Sequence, residues 1–136
     1  MIHVDTHVVV WLYAGDVERF TPAVRARLEA EDLKISPIVQ LELDYLHEIR
    51  RISTDGASIV VDLTKRVGLS IDETPFLHAV TRAGKLAWTR DPFDRMIVGQ
   101  ALAAGVKLLT RDASIRKHTR AAIWGLVRTP AAQLEA

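Results

Sequence analysis

Four acidic residues, far apart along the chain, are the side chains best suited to chemistry: Asp5, Glu42, Asp94 and Asp112. If they converged at ~4 Å, each pair would repel by about 1 kcal/mol in water and about 4 kcal/mol at an intermediate dielectric. Either bound protons, with raised pKa values, or divalent cations must offset that repulsion. Carboxylate oxygens without thiolate or imidazole are the hard ligands that Mg²⁺ and Mn²⁺ prefer. An all-oxygen set of this kind indicates phosphate chemistry more readily than peptide hydrolysis.

Two of these acids, Asp94 and Glu42, also have an ordinary structural explanation. In the segment RDPFDRMIVGQA, Asp91 suits the N-cap, Pro92 the first helical position and Asp94 the third. A carboxylate in that third position stabilises a helix by about 0.3 to 1 kcal/mol without any catalysis. The same placement directs Asp94 toward the sheet edge on which the helix packs, so capping and ligation are compatible. Glu42 lies beside an apolar stripe, although a surface glutamate is the alternative.

The elements that must position these acids are strands alternating with helices. The predicted strands are residues 2–5, 69–71, 106–110 and, with a weak pattern, 121–127. The predicted helical segments are residues 6–15, 22–31, 37–51, 57–68, 74–84 and 92–104, with a loop or short helix at 111–119. Hydrophobic periodicity and glycine stops define most of these boundaries.

Capping residues mark where several helices begin. Thr21 and Ser36 are each followed by proline, which predicts an N-cap with proline at the first helical position. Thr74 is the predicted cap of the helix at 74–84. In the helix at 37–51, apolar residues recur at helical spacing at positions 38, 41, 45, 46 and 49. Those positions predict its apolar face.

Strands alternating with helices predict an α/β fold, with a central parallel sheet flanked by helices on both faces and right-handed crossovers. A chain of 136 residues fits a single domain spanning 1–136. Ligands of such folds collect outside the carboxyl ends of the strands. Asp5 closes the first predicted strand, and Asp112 lies two residues beyond the strand at 106–110. Two of the four acids therefore fall at the edge where ligands bind.

Composition narrows the classes of protein further. The chain has no cysteine, which excludes disulfides, thiolate zinc sites and thiol nucleophiles. The longest apolar stretch, residues 8–15, is far short of a membrane span, so we expect a cytoplasmic protein. Residues 1–81 carry 8 Lys/Arg and 13 Asp/Glu, whereas residues 82–136 carry 10 and 4. This asymmetry weakly favours a surface that faces a polyanion, although an uneven scatter of solvated charges gives the same counts.

Four segments together resemble one known family. VDTHVVVWL, SPIVQLEL, RDPFDRMIVGQA and LLTRDASI occur in this order and at distances similar to those of the PIN-domain family, specifically its VapC-type toxin ribonucleases. Each segment alone is a weak signal, DTH above all, but the ordered set spans residues 2 to about 124. The resemblance implies a PIN-like fold and an Mg²⁺- or Mn²⁺-dependent endoribonuclease that acts as the toxin of a toxin-antitoxin pair.

The resemblance also assigns roles to residues. The catalytic and metal-binding quartet maps onto Asp5, Glu42, Asp94 and Asp112, and Thr6, Thr110 and Asp91 map onto supporting positions. Asp91 belongs to the DPFD variant of the third segment, and Asp94 is preferred as the ligand because Asp91 is needed as the cap. A homodimer, inhibited by a small antitoxin protein, is implied as the assembly.

Basic residues near the acids are candidates for binding the RNA substrate. Arg95 and Arg111 flank the acids and suit contact with substrate phosphate, as do Arg116 and Lys117. An ordinary surface or salt-bridge role is open for each arginine.

Two alternative functions are open at this point, and a zinc site is set aside. One alternative is a related nuclease that acts on structured DNA or in RNA processing, and another is a non-catalytic PIN-like module that binds RNA or protein. His3 and His7 are four residues apart, but the predicted change from strand to helix between them breaks the shared face that a zinc site needs.

Overall fold

Five parallel strands form the sheet at the centre of the fold. The computed structural model of the chain describes residues 1–125, and within them the spatial order of the strands is β3-β2-β1-β4-β5. The strands are Ile2–Val4 (β1), Leu33–Ile35 (β2), Ser70–Ile71 (β3), Lys107–Leu109 (β4) and Ala122–Ile123 (β5). Every pair of neighbours is parallel, which confirms the predicted α/β class. All three residues of β1 are buried, so both faces of this central strand are covered.

Seven α-helices connect the strands within residues 1–125. They are Thr6–Ala14 (α1), Pro22–Ala30 (α2), Pro37–Glu48 (α3), Gly56–Val67 (α4), Phe76–Ala83 (α5), Pro92–Ala104 (α6) and Ala113–His118 (α7). A short 3-10 helix, Val17–Arg19, lies between α1 and α2. Thr21, Ser36 and Asp91 cap α2, α3 and α6 as predicted. In this part of the chain, no helix has the length and apolar character that crossing a membrane requires.

The structure differs from the prediction at three elements, one of which the sequence analysis does not contain. Strand β2 was missed because it has three residues with a lysine at its centre, too short for a periodicity. Helix α5 begins at Phe76 and not at Thr74, whose backbone N–H donates to Asp72 at 2.9 Å. The position before α5 is Pro75, which makes no capping bond through its side chain. Strand β5 ends at Ile123, and the last residues of the predicted strand, 126–127, lie outside the described residues.

The predicted apolar face of α3 is only partly buried. The structure buries Val39 and Leu43, while Leu41, Tyr45 and Ile49 have 55%, 47% and 44% of their surface exposed. The sequence of α3 contains two apolar stripes, and only one of them can face the core. The other stripe therefore remains on the surface.

A buried polar network holds α6 against the sheet. Gln100 of α6 donates to Asp72 at 2.8 Å and accepts from the hydroxyl of Ser36 at 3.1 Å. The Nε2 atom of His3 in β1 lies 3.3 Å from the other carboxylate oxygen of Asp72. Burial raises the pKa of Asp72, but hydrogen bonds from Gln100 and Thr74 outweigh it and hold the pKa at about 2. The network fixes the helix whose first turn carries Asp94.

The strand order places a ligand crevice at the end of β1. The chain proceeds from β1 to β2 and β3 on one side, and returns to β4 and β5 on the other side. In open parallel sheets, such a reversal opens a crevice outside the carboxyl ends of the strands, where ligands bind. Asp5 follows β1 directly, and Asp112 lies three residues after the end of β4. The two acids flank this crevice.

Close packing of α5 on α6 leads to a test of the fold. A Cβ atom on Gly99 of α6 would lie 2.8 Å from backbone atoms of Ala79 and Ala83. We expect Gly99→Ala to lower the free energy of unfolding by about 1 to 3 kcal/mol, because the two helices must move apart. Urea denaturation measures the change. Gly84→Ala is the matched control, since its Cβ would have no neighbour closer than 3.4 Å. Equal stability of the two variants would contradict the predicted clash.

Candidate active site

Five carboxylates line one cavity at the carboxyl edge of the sheet. The cavity has a volume of about 390 Å³. Its acidic lining residues are Asp5, Glu42, Asp91, Asp94 and Asp112. The structure thus brings the four predicted acids together with the predicted supporting residue Asp91, although they come from four separate parts of the chain.

Asp5 is the most enclosed of these acids, with 4% of its surface exposed. One carboxylate oxygen, Oδ1, accepts the backbone N–H of Thr6 at 2.7 Å, which caps α1. The other oxygen, Oδ2, accepts the hydroxyl of Thr110 at 2.6 Å. The same Thr110 oxygen accepts the backbone N–H of Asp112 at 3.0 Å. Thr110 therefore sets the position of Asp112 relative to Asp5.

Thr6 links Asp5 to Glu42 in the same way. Its hydroxyl donates to Glu42 Oε1, while its N–H donates to Asp5. Burial raises the pKa of Glu42 and the Thr6 bond opposes this, while the charges of Asp5 and Asp91 raise the pKa further. Each of the two threonines thus contacts two acids.

Asp91 and Asp94 divide two tasks in the first turn of α6. Asp91 accepts the N–H groups of Phe93 at 2.8 Å and of Asp94 at 3.2 Å, so its carboxylate is the cap. Within residues 1–125, the carboxylate of Asp94 accepts no hydrogen bond, and the side chain is half-buried. Burial, followed by the charges of Asp91 and of the other three acids, raises the pKa of Asp94 to about 7. Burial and the neighbouring charges therefore act on Asp94 in the same direction, and no hydrogen bond among the described residues opposes them.

This division of tasks gives a prediction for Asp91. We expect Asp91→Ala to lower the free energy of unfolding by about 1 kcal/mol through loss of the cap, whereas Asp91→Asn keeps the cap. Cleavage of RNA by Asp91→Asn should stay within about tenfold of the wild-type rate, a cost of ~1.4 kcal/mol or less. Asp94→Asn should lose far more activity at similar stability. Denaturation and initial cleavage rates, measured side by side, check both statements. The reverse order of activities would make Asp91 the ligand.

His7 is a site residue that the sequence analysis missed. Its Nε2 atom accepts the backbone N–H of Arg111 at 2.9 Å, and its Nδ1 atom lies 3.6 Å from Asp5 Oδ2. Because Nε2 accepts, the proton of the neutral ring is assigned to Nδ1, which faces Asp5. Burial lowers the pKa of His7 more than the charges of Asp5 and Asp112 raise it. The signal in the sequence is its place two residues after Asp5.

The two predicted substrate-binding arginines, Arg95 and Arg111, lie at different distances from the cavity. The guanidinium of Arg95 donates to the carbonyls of Ala83 and Gly84, both at 3.1 Å, and so caps the end of α5. Arg95 does not line the cavity, so its contact with substrate stays a prediction. The Arg111 guanidinium lies 5.8 Å from the ring centre of Trp11, which does line the cavity. Arg111 is therefore at the rim.

The other two predicted basic residues, Arg116 and Lys117, are exposed on α7. Arg116 donates to the carbonyl of Arg111 at 3.2 Å. The lining of the cavity includes one arginine that sequence reasoning did not single out, Arg51. It comes from the loop after α3, whose path the sequence does not specify.

The donor atoms of the cavity fit a hard divalent cation. In residues 1–125, no three acidic or imidazole side chains meet as a closed set of ligands. Mg²⁺ needs no such set, because it keeps several water ligands and is held through one or two carboxylates. Burial raises the pKa of Asp94 and of Glu42, and the charges of neighbouring acids raise both further, which leaves excess negative charge in the cavity once the acids are ionised. A hydrated dication matches both the oxygen donors and that excess charge.

Comparison with known proteins agrees with this geometry. The family model described as "PIN domain" matches residues 2–121. Ribonuclease VapC22 of Mycobacterium tuberculosis is 30% identical over 117 residues, covering 84% of this chain and 88% of the relative.

Two solved structures share the fold. One is VapBC2 from Rickettsia felis, bound to a DNA fragment from the VapBC2 promoter. It aligns with a TM-score of 0.61 and 18% identity, and the alignment covers 88% of this chain and 94% of that one. DNA-bound VapBC from Salmonella typhimurium aligns with a TM-score of 0.60 and 20% identity, covering 87% and 92%. From the family model and the curated relative together, the chain belongs to the PIN domain family, as its four sequence segments predicted.

Proposed function

We propose that this protein is an Mg²⁺- or Mn²⁺-dependent endoribonuclease that acts as the toxin of a toxin-antitoxin pair. The observation that carries the proposal is the group of five carboxylates in one cavity at the carboxyl edge of a parallel sheet. The curated relative is named as a ribonuclease, which supports RNA as the substrate. A fold kept only for binding RNA or protein has no use for mutually repelling acids.

The described residues have separate tasks in this reaction. Asp5, Glu42, Asp94 and Asp112 would hold the hydrated cation, in part through its water ligands, and the cation would supply positive charge to the phosphodiester and activate water for in-line attack. Thr6 and Thr110 fix the carboxylates through the hydrogen bonds described above. The Nδ1 atom of His7 lies 3.6 Å from Asp5 Oδ2, so the ring forms one wall of the site beside that carboxylate.

A cleavage assay tests the proposal. Purified protein is incubated with end-labelled RNA and with DNA of the same sequence, each in Mg²⁺, Mn²⁺ or EDTA. We expect RNA cleavage with either metal, none in EDTA, and products with 5′-phosphate and 3′-hydroxyl ends because water is the nucleophile. Cleavage confined to DNA would favour a related DNA nuclease. Binding of RNA without cleavage of either polymer would favour a non-catalytic module.

We infer that a small antitoxin protein is the regulatory partner of this chain. The fold likeness to two VapBC structures supports a toxin of this type. The antitoxin would be encoded beside the toxin, as the family resemblance implies.

We also propose that the protein forms a homodimer through its exposed apolar residues on α3 and α5. Leu41, Tyr45 and Ile49 of α3 are exposed, and Phe76 and Leu77 of α5 each have 71% of their surface exposed. Helices α3 and α5 both pack against α6, so the two apolar stripes flank one helix. Exposed apolar residues on two neighbouring helices suit an interface, and a second copy of the chain presents the same surface.

A charge on α5 tests this interface. We expect Leu77→Asp to convert the dimer to a monomer at micromolar concentration, since a buried unpaired carboxylate strongly destabilises an interface. Size-exclusion chromatography with light scattering gives the mass. Val61→Asp is the matched control, because Val61 is an exposed apolar residue on α4. A wild-type protein that is monomeric under the same conditions would contradict the proposed dimer.

A further inference from the structure

A second, larger cavity adjoins the acidic one. Its volume is about 720 Å³, and it lies between α1, the end of α3, the loop at 50–54 and the start of α4. Val10, Arg51 and Ile52 line both cavities. The two cavities therefore lie side by side, and Arg51 is one of the residues where they meet.

The charge of the lining side chains differs in sign between the two cavities. The smaller cavity is lined by five carboxylates, whereas no acidic residue lines the larger one. The larger cavity has two arginines, Arg50 and Arg51, with His47 and two hydroxyl side chains. Neither guanidinium makes an ion pair or hydrogen bond with any residue in 1–125. A polyanion cut in the acidic cavity must keep its neighbouring phosphates away from the carboxylates, and the arginines supply that place.

The walls of the larger cavity also suit a nucleobase. Tyr13, Val10 and Ile52 provide aromatic and aliphatic surface beside the polar groups. Single-stranded RNA is recognised by stacking of unpaired bases on such surfaces, while basic side chains bind the backbone. The volume of about 720 Å³ lies in the range of pockets that enclose a small ligand.

The backbone conformation of Arg50 is unusual for a residue other than glycine. Helix α3 ends in a Schellman motif, in which the N–H of Arg51 bonds the carbonyl of Leu46 at 2.8 Å and the N–H of Arg50 bonds that of His47 at 3.0 Å. Arg50 has φ of 63°, and within residues 1–125 it is the one residue other than glycine with positive φ. Glycine is the residue that this position normally takes. Backbone conformation alone therefore favours glycine at position 50, so it does not explain the arginine side chain.

We propose that the larger cavity is the subsite for the nucleotide next to the scissile phosphate of the RNA, with Arg51 binding the adjoining phosphate and Arg50 the following one. The proposal rests on the ribonuclease function proposed above. Arg51 is assigned the nearer phosphate because it lines both cavities, whereas Arg50 lines only the larger one.

Steady-state cleavage of labelled RNA by three variants of the full chain tests the subsite. Arg51→Gln and Arg50→Gly each remove one proposed phosphate contact, and Arg82→Gln removes the same charge from the exposed end of α5, away from both cavities. We expect KM to rise about tenfold for Arg51→Gln, with kcat within about threefold, because the lost contact is made equally before and during the reaction. The slope of log KM against log salt should fall by about 0.7 per lost contact on single-stranded RNA.

Arg50→Gly separates binding from stability. Because glycine relieves the positive φ, its melting temperature should equal or exceed that of the wild type while its KM for RNA rises. Loss of RNA binding in a protein that is at least as stable is not explained by a structural role for the side chain. Arg82→Gln should match the wild type in KM, kcat and salt slope.

The outcomes separate the two proposals. If the wild type cleaves RNA and both cavity variants match Arg82→Gln, the subsite is wrong while the ribonuclease function stands. If the wild type cleaves no RNA with either metal, the ribonuclease function fails, and the subsite fails with it. Unchanged KM for RNA together with loss of inhibition by the antitoxin would make the cavity a docking site for a protein, which also overturns the subsite.

Discussion

Replacing Asp5 with asparagine is expected to lower the rate of RNA cleavage at least about 100-fold, since charge stabilisation by a bound cation supplies several kcal/mol of the barrier reduction. Asparagine preserves the shape of the side chain, and its carbonyl oxygen can still accept the N–H of Thr6 that caps α1. The hydroxyl of Thr110 can accept a hydrogen bond from the new amide. The substitution therefore removes a charge from the centre of the cluster while leaving the fold in place.

The measurement is kcat/KM for labelled RNA at saturating Mg²⁺, with thermal denaturation of both proteins alongside. Asp62→Asn is the matched control, because this carboxylate lies on the surface of α4 in an ion pair with Arg66. It should leave cleavage unchanged. Metal-dependent cleavage that survives Asp5→Asn would show that the acidic quartet is assigned wrongly.

The metal-free protein is expected to lose stability as the pH rises from about 4 to about 7, and Asp94 is the reason. Its folded pKa of about 7 lies above the ordinary value of 3.8. Between these values the folded protein holds a proton that the unfolded chain has released, so raising the pH favours unfolding. The contribution is fully present below the unfolded pKa and is lost once the pH passes the folded pKa. Because Asp94 is partly exposed and screened by solvent, we expect a loss of about 1 to 2 kcal/mol.

Mg²⁺ is expected to reverse this trend. Binding requires the deprotonated carboxylate, so stabilisation by Mg²⁺ should grow as the pH rises. The gap in melting temperature between Mg²⁺ and EDTA should widen by about 3 °C or more between about pH 5 and about pH 8. Thermal denaturation of the wild type and Asp94→Asn across this range makes the comparison.

Subtracting the Asp94→Asn curve from the wild-type curve isolates Asp94. His3 and His7 have lowered pKa values, so they add stability as the pH rises from their folded values toward 6.5 and oppose the effect of Asp94. These histidines are present in both proteins and cancel to first order in the subtraction. An identical pH dependence in the two proteins would mean that Asp94 is not the group under strain.

Much of the site could be predicted because most of its acids lie at element boundaries, although Glu42 lies within α3. The end of the first strand and the proline-marked start of α6 are visible in the sequence, and these boundaries place Asp5 and Asp94 near the carboxyl edge of the sheet. Capping by Asp91 follows from local chemistry alone, and the structure shows it. Local signals of this kind depend on neighbouring residues and not on the rest of the fold.

The parts that could not be predicted depend on contacts between distant segments. Strand β2 is defined by its pairing with β1 and β3, and its three residues carry no periodicity of their own. The buried face of α3 was ambiguous because two apolar stripes compete for one core. His7 gains its role from the backbone N–H of Arg111, 104 positions away. Arg51 reaches the acidic cavity through a loop whose path depends on α4.

The bond between Asp5 and Thr110 joins positions 105 residues apart, and Asp112 lies beyond it. A ribosome making this chain therefore releases Asp5, Glu42 and Asp94 well before the last acid has emerged. The growing polypeptide lacks a complete set of carboxylates until β4 can pair with β1. The complete set of carboxylates is consequently assembled only after the chain has been synthesised beyond Asp112, however early the first three acids emerge.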